Sequence, residues 1–364
     1  MYDLTKHYNY NRKEILSKIN TVLKKGKLEL GPEVNKFEKN FSKYCNVKYS
    51  VGVSSGSMGL VIALRCINLD KNDEVITVAN SDIPTSHAIT INGAKIKWVD
   101  IEETTLNIDP KEIEKNINSK TKAILPVHLF GVPANMLEIK KIAKKYNLII
   151  IEDACLATGA KIGSKKIGSI ADLTVFSFNP GKLLDGIGPG GMITTNNKKF
   201  YKKLIQLRDY GRGNTKKPKE GFAKIIGFNS KLSNVNASIL NLRLKKLKTY
   251  IKKREENVKF YKQYLNLDTN EFQNYYQKTK PVWRNFTIKI NNRNLVYNFL
   301  RKKGIDVFKG YHPPNHLDKC YKNLPKVQLP ITEKTSKQIL NLPCHPYMSK
   351  KEIIKISNYI NQFM

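Results

Sequence analysis

The chain has 364 residues, 40% of them hydrophobic, which is enough to bury a large core and to build two to three domains. Its 64 Lys and Arg against 30 Asp and Glu leave a formal charge of +34. Yet no run approaches the roughly 18 apolar residues of a bilayer span, and no zinc-finger or aromatic-bearing RNP sequence accompanies the scattered lysines, so neither membrane insertion nor nucleic-acid binding is expected.

The first residues, Met1-Tyr2-Asp3-Leu4-Thr5-Lys6-His7, lack the apolar core of a secretion signal. The five cysteines (Cys45, Cys66, Cys155, Cys320, Cys344) are odd in number and show neither a Cys-x-x-Cys pair nor a zinc spacing. A cytoplasmic protein with no disulfide framework and no metal site is expected.

In chain order, an N-terminal arm and helix occupy 1–45, with 11–23 amphipathic. Short apolar runs at 49–53, 74–79, 95–99, 123–128, 148–153, 173–177 and 191–194 then alternate with helical patterns. That alternation predicts an α/β domain over 46–235, a mostly parallel seven-stranded sheet between helices. A polar, Lys- and Gly-rich stretch over 211–224 reads as a surface loop. From 234 to 264, Ile239, Leu242, Leu244 and Leu247 fall at helical spacing. This helix should bridge to a smaller C-terminal α+β domain, the two together making up 236–364, with a strand at 286–290 and helices at 294–303 and 350–363.

Three short segments carry chemistry. Phe176-Ser177-Phe178-Asn179-Pro180-Gly181-Lys182, followed by Gly186-Ile187-Gly188-Pro189-Gly190-Gly191, places a lysine just after a strand among small residues. There its amine can meet a carbonyl and form a Schiff base. The run Leu148-Ile149-Ile150-Ile151-Glu152-Asp153 ends in carboxylates at a strand terminus, where α/β folds bind ligands. Val51-Gly52-Val53-Ser54-Ser55-Gly56-Ser57 is a strand and a Gly/Ser turn ahead of an apolar helix, an arrangement that suits a phosphate. Taken singly, each has an ordinary reading as a solvated lysine, a strand-end acid and an N-cap.

In order and spacing these segments resemble the DegT/DnrJ/EryC1/StrS sugar aminotransferase family of fold-type I pyridoxal phosphate enzymes. Asn72-Asp73-Glu74-Val75-Ile76, Pro126-Val127-His128-Leu129-Phe130-Gly131, Glu152-Asp153-Ala154 and Gly227-Phe228-Asn229 extend the likeness over nearly the whole chain. The resemblance implies a homodimer that uses pyridoxal 5′-phosphate, with pyridoxamine phosphate as intermediate. It implies transfer of an amino group from L-glutamate or glutamine to a nucleotide-linked keto-deoxysugar. Lys182 then matches the Schiff-base lysine and proton shuttle, and Asp153 the acid on the pyridine nitrogen. Gly56, Ser57 and Ser177 match phosphate contacts, and Asn229 one that reaches in from the partner subunit.

Three positions depart from the pattern: Leu156 replaces a glutamine beside the cofactor, Asp82 an aromatic residue on the ring, and Arg284 a histidine. Asn80, His128, Arg284, Tyr311 and His312 are the expected substrate contacts. The altered pocket leaves room for a small phosphorylated or cyclitol ketone as acceptor. A cofactor-free binding protein with a positive surface is the non-enzymatic alternative. Sugar dehydration is disfavoured, since dehydrating relatives lack the lysine.

Overall fold

Alternating β-branched runs and amphipathic helices produce a layered α/β structure, seen in a computed structural model that describes residues 3–212 and 222–364. The loop expected over 211–224 lies largely outside the described residues. Two helices come first, α1 (Leu4–Lys24) and α2 (Pro32–Cys45). There follow β1 (Tyr49–Val53), α3 (Gly56–Cys66), β2 (Glu74–Val78), α4 (Pro84–Ile91) and β3 (Lys95–Val99). The alternation continues through α5 (Pro110–Lys115), β4 (Thr121–Ile124), α6 (Met136–Lys145) and β5 (Ile149–Asp153). A small hairpin, β6 (Lys161–Ile162) and β7 (Lys165–Lys166), precedes β8 (Leu173–Ser177), β9 (Gly191–Thr195) and α7 (Lys198–Arg208).

Seven strands form one sheet in the order β1-β9-β8-β5-β4-β2-β3. β9 pairs antiparallel with both neighbours, and the other pairings are parallel. Helices cover both faces, so β8 and β9 are buried along their whole length, as their unbroken apolar and small residues require. All seven expected strands are present. The fourth starts two residues early and stops at Ile124 rather than at residue 128. Leu125 N–H still bonds the Ile76 carbonyl at 2.8 Å, but Pro126 has no N–H to continue the ladder.

A helix of 31 residues, α8 (Asn234–Tyr264), runs from the sheet layer to the C-terminal unit. That unit contains β10 (Thr279–Lys280), which joins β6, and β11 (Phe286–Lys289) with α9 (Arg293–Lys302). It closes with α10 (Pro330–Gln338), β12 (Ile339–Leu342), which pairs antiparallel with β11, and α11 (Lys350–Asn361). Phe286, Ile288, Val296, Leu300, Leu340, Ile353 and Ile360 make its separate core. The buried face of α8 differs from the expected apolar stripe. Leu242 and Leu244 are only half-buried, while Asn234, Asn236, Asn241, Arg243, Arg254 and Asn257 are buried. These polar groups bond to surrounding backbone, as burial demands; for example, Asn234 Nδ2 donates to the Lys27 carbonyl at 2.8 Å and Asn257 Nδ2 to the His345 carbonyl at 2.9 Å.

Helix α1 packs on α8 through His7, Asn11, Ile15 and Val22. Burial, reinforced by the Arg243 guanidinium, pulls His7 from its ordinary 6.5 down to about 3. The unfolded chain therefore takes up a proton below about pH 6.5 that the folded chain refuses, and stability falls with pH through that window. His7→Gln is expected to flatten the decline of Tm between pH 6.5 and 4; an unchanged slope would contradict this.

Candidate active site

The parallel pairing of β5 with β8 sets Asp153 opposite Val175, two residues short of Ser177. Both carboxylate oxygens of Asp153 accept hydrogen bonds. Oδ2 takes the Thr85 hydroxyl at 2.8 Å, and Oδ1 takes the Cys155 N–H at 3.1 Å. Two fixed donors hold the carboxylate in one orientation. The Cys155 thiol lies beside it, and burial, with Asp153 next, raises that thiol well above its ordinary value, so it stays protonated.

Helix α3 begins between the ends of β1 and β8. Its Ser55 N-cap hydroxyl accepts from Met58 N–H at 3.1 Å, and the Gly59 N–H to Ser55 carbonyl bond, 2.9 Å, is the first intrahelical one. The amides of Gly56 and Ser57 precede that bond and line a cavity, at the positive end of the helix dipole. Glycine at 56 is a packing requirement: a Cβ there would lie 2.7 Å from Ser177 Cβ and 2.8 Å from Cys155 Sγ. At Gly191 a Cβ would lie 2.6 Å from the Ser55 carbonyl, so β9 also presses its backbone against the turn.

Lys182 follows a turn whose sequence dictates its form. Gly181 has φ +86° and Lys182 N–H bonds the Asn179 carbonyl at 3.0 Å. With Pro180 at the second position, these features define a type II turn, in which glycine supplies the positive φ. The amine end of Lys182 is enclosed, and burial lowers its basicity. Arg284 acts in the same direction, while Cys155, Asp153 and Asp82 oppose it. A lysine so placed holds more of the neutral amine, the form that attacks carbonyls and accepts protons.

The inner cavity, about 60 Å³, is lined by Gly56, Ser57, Asp153, Leu156, Ser177 and Lys182, together with Thr85, Asp82 and Tyr311. It adjoins an outer cavity of about 670 Å³, open to solvent and bordered by Leu156, Lys182, Arg284, Asp306, Tyr311 and His312. Asp82 is exposed at the boundary of the two, its Oδ1 accepting from Ile83 N–H at 3.0 Å. Tyr311 stacks on Phe130 with ring centroids 5.7 Å apart and 9° between planes, so an aromatic ring does border the inner cavity, supplied by the C-terminal unit.

Two of the expected substrate contacts lie away from the cavities. His128 is fully buried; its Nδ1 accepts from Ala134 N–H at 3.1 Å and its Nε2 lies 3.6 Å from Glu152 Oε1. Past Pro126 the chain still bonds β5, His128 N–H donating to the Asp153 carbonyl at 3.0 Å, and the buried His128 ring braces the loop over residues 128–134 through Ala134 N–H. Asn80 is buried as well, donating to the Leu106 carbonyl at 3.3 Å, and neither residue lines the cavities. Asn229 is exposed and outside the cavity of its own chain. Thr85, which lines the inner cavity and bonds Asp153, is a residue that sequence reasoning did not single out: a threonine at the start of a helix carries no local signal of a partner 68 positions away.

Residues 9–361 match the DegT/DnrJ/EryC1/StrS aminotransferase family. The chain belongs to this family. It is 36% identical to the dTDP-3-amino-3,6-dideoxy-alpha-D-galactopyranose transaminase of Aneurinibacillus thermoaerophilus, over 97% of this chain and 96% of the relative. It is 35% identical to the 3-oxo-glucose-6-phosphate:glutamate aminotransferase of Bacillus subtilis, over 93% of this chain and 77% of the relative. The solved structure of S. venezuelae DesV in complex with a ketimine intermediate superposes with a TM-score of 0.94 at 32% identity, covering 99% of this chain and 97% of that one.

The aminotransferase family depends on pyridoxal phosphate, and the residues present fit that group. An unbonded helix start faces the inner cavity on one side, where a Cβ at Gly56 would intrude on the floor. A doubly hydrogen-bonded carboxylate and an enclosed amine line the same space. Thr85→Val keeps the shape and removes one donor to Asp153. Aminotransferase turnover is expected to fall about tenfold to a hundredfold with the fold intact, as for a displaced catalytic group, measured as kcat alongside circular dichroism.

Proposed function

We propose that this aminotransferase moves the amino group of L-glutamate or glutamine to carbon 3 of a nucleoside-diphosphate-linked keto-deoxysugar, with pyridoxal 5′-phosphate as cofactor. The observation that carries this reading is the convergence of Lys182, Asp153 and the start of α3 on one inner cavity that opens beside Arg284 and Tyr311. The cofactor, when bound, supplies a carbonyl that carries the amine and a ring that withdraws electrons.

The chain's own residues then divide the work. Gly56 and Ser57, through backbone N–H groups, and Ser177, through its hydroxyl, hold the phosphate at the helix terminus. Asp153 holds a proton on the pyridine nitrogen, and Thr85 keeps its carboxylate aimed. Lys182 Nζ takes and returns the proton that leaves the donor's α-carbon, a task suited to an amine of lowered basicity. Leu156 and the Tyr311 ring keep water from the inner cavity, with Asp82 at its rim. Arg284, its guanidinium matched to carboxylate and diphosphate alike, and His312 bind the substrates from the outer cavity. The charge of +34 draws anionic substrates toward the protein.

The sugar acceptor and its carbon 3 are supported by the name of the A. thermoaerophilus relative. A phosphorylated 3-oxo sugar is the second reading, supported by the B. subtilis relative and by the replacement of an aromatic residue with Asp82. We further propose a homodimer in which Asn229 completes the partner's phosphate site. Its exposure, and that of Phe222 (95%) and Ile226 (90%) beside it, suits a surface that a second copy covers. Five free cysteines suit a reducing cytoplasm, and among the described residues no helix is long and apolar enough to cross a membrane.

Mass-spectrometric assay with glutamate against nucleotide-linked 3-keto and 4-keto deoxysugars and 3-oxo-glucose 6-phosphate tests the acceptor. Amination of the nucleotide-linked 3-keto sugar alone is expected; turnover of the hexose phosphate alone would transfer the assignment to the second reading. Lys182→Met should lower activity by at least about 10²–10⁴-fold and raise the Tm of the cofactor-free protein below the amine's folded pKa, because a buried amine no longer has to be protonated there. Retained activity would remove Lys182 from the mechanism. Asn229→Ala should weaken cofactor retention while leaving the monomer fold intact, read by equilibrium dialysis.

A further inference from the structure

Three residues beyond Lys182, Asp185 is buried to 1% exposure. Its Oδ2 accepts from Gly181 N–H at 3.1 Å, and its Oδ1 from Arg243 Nη1 at 2.9 Å. His7 Nε2 lies 3.5 Å from the same Oδ1, and Tyr347 meets the other ring nitrogen of His7 at 2.7 Å. Arg243 also donates to the carbonyls of Asp185 (2.8 Å) and Gly186 (3.1 Å). One carboxylate thus ties the turn before Lys182 to α8, with His7 of α1 packed beside it.

The bond to Gly181 has a specific geometric meaning. Type I and type II turns differ mainly by rotation of the central peptide, ψ of the second residue moving from about −30° to +120° and φ of the third from about −90° to +80°. That peptide carries the Gly181 N–H, so a flip to type I would swing it off the Asp185 carboxylate and re-aim the chain that enters Lys182. We propose that Asp185, clamped by Arg243, is a positioning residue that locks the 179–182 turn in its type II form and so sets the approach of the Lys182 amine to the inner cavity. The second half of this inference rests on the catalytic reading of Lys182; the first does not.

The test compares Asp185→Asn and Asp185→Ala with Asp100→Asn, a control that weakens the buried Asp100 cap of α10 elsewhere in the protein. In cofactor-free protein, Gly181 amide exchange should quicken about tenfold or more in Asp185→Ala, with β8 amides unchanged. In the loaded enzyme, kcat should fall about tenfold to a hundredfold while KM for the amino donor stays within about threefold. The visible absorbance of the cofactor should titrate with a midpoint moved by about half a pH unit or more, because Lys182 shifts relative to the groups that face it, Cys155, Arg284, Asp153 and Asp82. Asp185→Asn, which keeps one acceptor oxygen, should fall between.

Gly181 exchange and a titration midpoint both unmoved in a folded Asp185 variant would overturn the proposal, whatever the loss of Tm shared with Asp100→Asn. If Asp185→Ala does not fold, Asp185→Asn decides on the same two readouts. A parent protein with no visible band, and full activity in Lys182→Met, would instead overturn the reading of Lys182. Gly181 exchange would still report the clamp.

Discussion

The parallel register of β5 on β8 is the constraint on which the site depends. It fixes the end of one strand, Asp153, beside the end of the other, Ser177, and so determines where the chain leaves toward Lys182. Parallel strands present their C-terminal ends along one edge of the sheet, and helices on both faces wall that edge into a crevice. The register is strongly specified, since a one-residue slip would turn buried apolar side chains and reverse the direction of Asp153. Gly56 then allows α3 to start against both strand ends, bringing a helix dipole within reach of the same space.

Around this edge the tertiary structure relies on buried polar contacts more than on apolar fit. The glycine-rich segment after Lys182 is held by Asn236, whose Oδ1 accepts from Ile187 N–H at 2.9 Å and whose Nδ2 donates to the Gly188 and Pro189 carbonyls at 3.1 and 2.9 Å. A Cβ on Gly186 would lie 2.0 Å from that Oδ1. The glycines are there because a side chain from α8 occupies the space beside them. Removing either member of the buried Arg243–Asp185 pair would leave a charge without compensation, at a cost of about 3–5 kcal/mol. Helix α8 is thus the spine of the site: its amides and guanidiniums shape the loops, and its length joins the sheet to the C-terminal unit.

The side of the cavity facing the C-terminal unit is built differently. Here Arg284 comes from the segment ahead of β11 and Tyr311 and His312 from the stretch between α9 and α10, while Leu156 and Asp82 come from the loops that follow β5 and β2. Gly131, at φ +94°, lets the two units touch, since a Cβ would lie 2.8 Å from the Arg284 backbone nitrogen. The aromatic ring that Asp82 does not supply is present as Tyr311, held by stacking on Phe130.

Much of this was legible in the chain because the decisive signals are local. Seven apolar runs announced seven strands by their spacing, a lysine just after a strand among small residues announced a reactive amine, and Gly56-Ser57 ahead of an apolar run announced a helix start facing a ligand. The family likeness added roles that spacing could not supply. What the sequence could not reveal depends on which residues meet across the fold. His128 looked like a strand-end pocket residue, yet its imidazole is buried between Glu152 and the Ala134 N–H, away from both cavities. Thr85 and Asp185 looked like ordinary helix-start and loop residues, and acquire meaning from hydrogen bonds to Asp153 and Gly181. The sequence by itself determined the strands, the turn and the reactive groups, because those follow from periodicity and backbone preference over a few residues. Only the tertiary structure decided which side chains aim those groups, because a hydrogen bond between distant segments leaves no periodic trace in either.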